Sequence, residues 1–311
     1  MALFPKNLNE YVASLGVPRG PLSKAYIVDP VNGNDNNVGT NWLHPLKTLE
    51  AAEDLCVGDR HDAVLFLSGD TADNPSAAIT WDKDYTHLIG LSSGLYGLGQ
   101  RCRVVMLAAT AVTPVITFSG NGCIVKNMQF YNEKAAGSAA GCVIVTGLRN
   151  EFHNVFFMSP VATDAASYSL KLSGSENLFY RCTIGQLTNP RTGASYGLWV
   201  NGAGTVSRNK FVKCEFLSWG YDATHAHVRF DANMAAVPHT TWFEDCLFHH
   251  VGTTLNMAID DNSTAADHQI VFRGHNDVLN ATAVGDVLTY MFAPNPDASI
   301  SGLLMVTVAE S

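Results

Sequence analysis

The sequence predicts an all-β chain wound as a parallel β-helix, and three observations carry that prediction. Apolar-x-apolar segments recur through the middle of the chain, from Ile116-Thr117-Phe118, Val143-Ile144-Val145 and Leu170-Lys171-Leu172 to Leu198-Trp199-Val200, Val228-Arg229-Phe230 and Met257-Ala258-Ile259. Gly120, Gly147 and Gly174 follow the first three at intervals of 27. A second apolar block begins at Val125, Phe152, Phe179, Phe211 and Phe243, at spacings of 27, 27, 32 and 32 residues. Self-similarity at such a period marks a repeat architecture.

Each row holds short period-2 pieces separated by Gly, Asn and polar residues, the pattern of half-buried strands rather than helices. Stacked rows of this length suit a solenoid in which equivalent positions form ladders. In the second block the apolar phase resets after Asn127 and Asn154, which places a corner there. Residues 48–57 carry apolar positions at helical spacing behind a candidate N-cap, Thr48, and predict a short helix closing the first turn. Residues 1–24 read as an N-terminal arm, 25–293 as the β-helix domain and 294–311 as a C-terminal strand or cap.

The 311 residues are 47% hydrophobic and 15% charged, well below the roughly 25% charge of an average soluble domain. Nineteen Lys and Arg against 28 Asp and Glu leave a net charge of −9, which disfavours a phosphate-tracking surface, so no nucleic-acid partner is expected. Apolar runs stay shorter than the roughly 18 residues of a membrane span, and the opening lacks the basic-then-apolar layout of an export leader. No membrane partner is expected. Seven cysteines without a CxxC pair predict reduced, buried thiols.

The turn residues Asn127 and Asn154, and a further ladder of Asn150, Asn177 and Asn209 two residues before each block, resemble the right-handed parallel β-helices of the pectate-lyase-like superfamily. The opening stretch from Tyr26 to Asp35, with Gly39-Thr40 and Pro45 to Thr48, is similar to the start of many phage β-helix proteins. The resemblance covers roughly residues 25–290. It implies an all-β, single-stranded right-handed parallel β-helix with a short N-terminal cap helix, an N-terminal arm and a C-terminal strand. For function it implies a virion protein: a homotrimeric capsid decoration (cement) protein on the capsid surface, assembled in the host cytoplasm, with the major capsid protein of a phage particle as its partner. A tailspike or tail appendage that binds or cleaves host polysaccharide is the alternative.

Site residues follow from those two readings. Phe4, Leu8, Tyr11 and Leu15 are the expected capsid-docking positions of the arm, and Ile144, Phe156, Trp199 and Leu247 the expected trimer contacts, being apolar and pointed outward. An enzyme of this shape needs charge on the outward face of the first strand. The outward candidates there, Thr117, Ile144, Lys171, Trp199, Arg229 and Ala258, include no carboxylate, whereas glycoside hydrolysis by the usual route needs a pair. The nearest carboxylates, Asp260-Asp261 and Asp222 with Asp231, sit at strand exits and read as turn formers. No catalytic residue and no enzymatic activity are therefore expected. If a host glycan binds, Trp199 is its stacking platform beside Lys171 and Arg229. Cys182, Cys214 and Cys246 share one repeat position and read as core. His225, His227, Asp222, His249 and His250 lack a convincing third ligand and read as structural or interface residues; no metal and no cofactor are expected.

Overall fold

Alternating apolar residues make each repeat fold as short strands, and the equal spacing of the repeats lets strands of successive turns pair side by side. In a computed structural model, the described residues are 8–92, 102–109, 113–133, 140–158, 166–191, 195–202, 206–220, 222–232, 239–262, 268–285 and 291–292. Their strands form three parallel sheets of ten, seven and eight strands, wound as a right-handed parallel β-helix. Phe4 and the expected C-terminal strand lie outside the described residues.

The sequence spacings reappear as register. Val125, Phe152, Phe179, Phe211 and Phe243 stand directly over one another in the ten-stranded sheet. Their rings stack inside the rod, with centroids 4.8 Å apart for Phe152 and Phe179, 4.6 Å for Phe179 and Phe211, and 5.3 Å for Phe211 and Phe243. The corner expected at Asn127 and Asn154 is a single left-handed residue, and later turns repeat it with Arg181, Lys213 and Asp245, all at φ 52–55°. Beyond this corner Met128, Val155, Cys182, Cys214 and Cys246 point into the core, and all seven cysteines are free and buried. The Cys182 and Cys214 thiols each donate to a carbonyl, of Phe152 and Phe179, at 3.3 Å.

A second corner explains the glycines. A Cβ on Gly147 would lie 2.0 Å from the Gly120 carbonyl oxygen, and one on Gly174 equally close to that of Gly147. Only a residue without a side chain lets the turns approach this closely. Beside it, Asn150, Asn177 and Asn209 are buried and bridge turn to turn. The Asn150 N–H donates to Asn177 Oδ1 at 2.9 Å and the Asn177 N–H to Asn209 Oδ1 at 3.0 Å.

Helices cover one end and one side. Helix α2 (Leu49–Leu55) starts where Thr48 Oγ1 accepts from the Ala51 N–H at 3.2 Å, and its Leu49 and Ala52 enter the core as the predicted cap. Helix α1 (Leu8–Ser14) departs from expectation. Rather than standing off as an arm, it lies on the ten-stranded sheet, where Val12 and Val17 are buried with Ala25, Ala63, Leu65 and Ile89. The Lys126 ammonium donates to the Leu15 carbonyl at 2.9 Å and holds the strap down.

Candidate functional site

The eight-stranded sheet presents one continuous outward row. Strands Gly141–Val145, Tyr168–Leu172, Tyr196–Val200 and Ala226–Phe230 bury every residue except the fourth, which is half-exposed. That position is Ile144, Lys171, Trp199 and Arg229, aligned in register. The next residue in the row is Asp260, paired with Arg229. Ala258 had been expected there, but it is fully buried. In the strand Leu255–Asp261 the consecutive residues Ala258 and Ile259 are both buried, so strict alternation breaks. Ile259, not Ala258 or Met257, lies over Val228. The phase break turns a carboxylate outward at the position where none was expected.

The row is knitted together laterally. The Lys171 ammonium lies 4.5 Å from the centre of the Trp199 ring, and the Arg229 guanidinium 4.8 Å from that of Tyr196. Both are cation–π distances. Arg229 also donates to the Tyr196 hydroxyl and to Asp260 Oδ2, the latter at 3.1 Å. The Trp199 indole N–H donates to Asp231 Oδ2 at 3.0 Å, and Asn201 donates to the same oxygen at 3.1 Å. Tyr168 meets the Trp199 ring edge-on at 5.6 Å, and burial pushes its phenol up to about 12, so it stays protonated. Trp199 is thus fixed on several sides, with Lys171 and Arg229 on the neighbouring strands, Asp231 on its indole N–H, and Asp260 one strand further along the row. Sequence reasoning named Lys171, Trp199 and Arg229 and saw Asp260 and Asp231 as the nearest carboxylates, but read those two as turn formers off this face, and it missed the two tyrosines.

The other expected sites are dispersed. Ile144 and Trp199 lie on the eight-stranded sheet, whereas Phe156 and Leu247 lie on the seven-stranded one. The four do not form one flat contact face, and Phe156 is already buried within the chain. Leu247 borders a groove of about 500 Å³ at the left-handed corner, with Tyr180, Arg181, Lys213, Glu215 and Asp245. Of the docking residues, Leu8, Tyr11 and Leu15 pack against the chain's own rod. His225, His227 and His250 converge inside the rod, while the Asp222 carboxylate is engaged by Thr224 in its own turn. Among the described residues no group of three His, Cys, Asp or Glu is placed to hold a metal ion.

No family model and no curated protein matches the chain. Solved structures do match. Pectin methylesterase PemA from Erwinia chrysanthemi is 15% identical with a TM-score of 0.53, over 84% of this chain and 80% of that one. The pectin methylesterase from Aspergillus niger is 12% identical with a TM-score of 0.53, over 91% and 90%. Pectate lyase Pel9A is 13% identical with a TM-score of 0.52, over 88% and 80%. These matches overturn the expectation of a non-enzymatic capsid decoration protein: the neighbours are polysaccharide-acting enzymes, and they supply no link to a phage particle. What the chain shares with these structures is the fold, a right-handed parallel β-helix.

Proposed function

We propose that the chain binds and modifies an acidic polysaccharide along the outward row of the eight-stranded sheet. The observation that carries this reading is the alignment of Lys171, Trp199, Arg229 and Asp260 in a single register. An aromatic ring flanked by cations suits a sugar that carries carboxylates: the ring offers an apolar face and the cations meet the acid groups. Asp260, held by Arg229, and Asp231, held by Trp199 and Asn201, are the groups positioned to move a proton. The fold neighbours, pectin methylesterases and a pectate lyase, agree with this substrate class.

The test is a panel of acidic and neutral polysaccharides, including polygalacturonate and methyl-esterified pectin, scored for binding by affinity electrophoresis and for turnover by released product. Retention by acidic members alone is expected. Trp199→Ala should weaken it about tenfold or more, equivalent to ~1.4 kcal/mol. Asp260→Asn should abolish turnover while leaving most of the binding. Equal behaviour of wild type and Trp199→Ala across the panel would remove the row from consideration.

A further inference from the structure

Where the seven-stranded sheet turns into the eight-stranded one, the interior of the rod is polar. His225 and His227 flank Ala226 at the start of one strand, and His250 comes from the strand Leu247–Gly252. Their ring centroids stand 6.0 Å apart for His225 and His250, 6.1 Å for His225 and His227, and 6.4 Å for His227 and His250. All three are at most 2% exposed. Ser195 Oγ lies 2.9 Å from His225 Nδ1 and Ser218 Oγ 2.7 Å from His250 Nδ1, whereas Nε2 of all three rings is buried without a hydrogen-bond partner among the described residues.

Among the described residues, the surroundings give an added proton no anion to meet. Arg191, itself buried, donates to Ser167 Oγ at 2.7 Å and pairs its backbone with Gly220. Gln186 and Ser218 precede His250 on the inward side of the seven-stranded sheet, and the next turn brings Ala258 and Asn280. The charges acting on the three rings are those of one another, of Arg191 and of His249; no carboxylate is among them. Burial is the largest cause at each ring, the neighbouring rings, Arg191 and His249 add to it, and backbone hydrogen bonds at His225 and His250 oppose it; the result holds His225 well below its ordinary value, His227 down to about 3 and His250 lowered.

We propose that this corner is an acid-operated seam: protons taken from solvent by His225, His227 and His250 part the two sheets locally, while the middle turns of the rod stay wound. Groups whose folded pKa lies below the unfolded one stabilise the fold fully above about pH 6.5, and that stabilisation is lost as pH falls below it. The middle turns lack this liability. Their described histidine, His153, is half-exposed and 2.9 Å from Glu151. His87, buried beside His61 near the N-terminal cap, belongs to a separate part of the rod. The seam shares its strands with Trp199 and Arg229, so opening it dismantles the outward row, but the proposal stands independently of any polysaccharide.

Hydrogen exchange of the full chain, measured by mass spectrometry between about pH 7.5 and pH 5 with intrinsic rates corrected, is the test. Peptides covering 195–200, 222–230 and 247–252 should lose about tenfold or more in protection at the lower pH, while those covering 151–157 and 178–184 keep theirs. The triple variant His225→Gln, His227→Gln, His250→Gln should retain protection in the seam at that pH, and His250→Gln alone should move the transition to lower pH. Wild-type exchange that rises uniformly, or not at all, overturns the proposal, and it does so even if the triple variant fails to fold. A folded triple variant that opens at the wild-type pH overturns it equally.

Discussion

Asn177 illustrates how much one side chain carries in a stacked fold. Its Oδ1 accepts the Asn150 N–H, and its amide donates to the Gly147 carbonyl at 3.2 Å and to Asn209 Oδ1 at 3.1 Å, all in the buried interior. Asn177→Ala leaves a backbone donor and a backbone acceptor unmet, each costing about 1–3 kcal/mol. The variant should unfold at clearly lower urea, with stability reduced by about 2–6 kcal/mol. This ladder was legible in the sequence because the same residue recurs at the same place in each repeat. Asp260 was not, because the apolar pattern alone gives no sign that Ala258 and Ile259 both turn inward. The histidines were noticed in the sequence, but their convergence inside the rod was not legible, because it depends on cross-turn neighbours, here Ser195 and Ser218, that lie about 30 residues away in the chain.

At the scale of the element, helix α2 depends on a carboxylate outside it. Asp73 Oδ2 accepts the Leu49 N–H at 2.7 Å, one of the open donors of the helix start. Asp73 is 4% exposed, and burial raises its carboxyl to about 6, with the Leu49 N–H partly opposing the rise. A raised folded pKa means stability that is present below the unfolded value near 3.8 and lost as pH rises through about 6. Asp73→Asn keeps an acceptor for Leu49 and removes the titration. Relative to wild type, the variant should gain on the order of 2 kcal/mol between about pH 4 and pH 8, measured as the difference in urea midpoints. Helix α2 was readable from Thr48 and the helical spacing after it. The destination of α1 was not: Leu8, Tyr11 and Leu15 mark an apolar face, but periodicity does not say which surface that face covers.

Across the whole molecule the cysteines form a ruler, with Cys56 beside the cap, Cys142 and Cys182 in the middle turns and Cys246 toward the C-terminal end, all buried. In a solenoid each turn touches chiefly its neighbours, so opening spreads from an end rather than everywhere at once. Native protein should show no thiol reactive toward an aromatic disulfide reagent within minutes. In partial urea Cys246 should label before Cys142 and Cys182, and full denaturation should expose all seven. Simultaneous labelling would mean that the rod melts as one unit.

The N-terminal cap bears on how the chain is made. Thr48, α2 and the strand Ala25–Val28 complete the first edge of the ten-stranded sheet from residues that are synthesised before the turns stacked on it. Each later turn then emerges next to a finished edge with the same register, so synthesis itself supplies the template and the coil can lengthen one turn at a time.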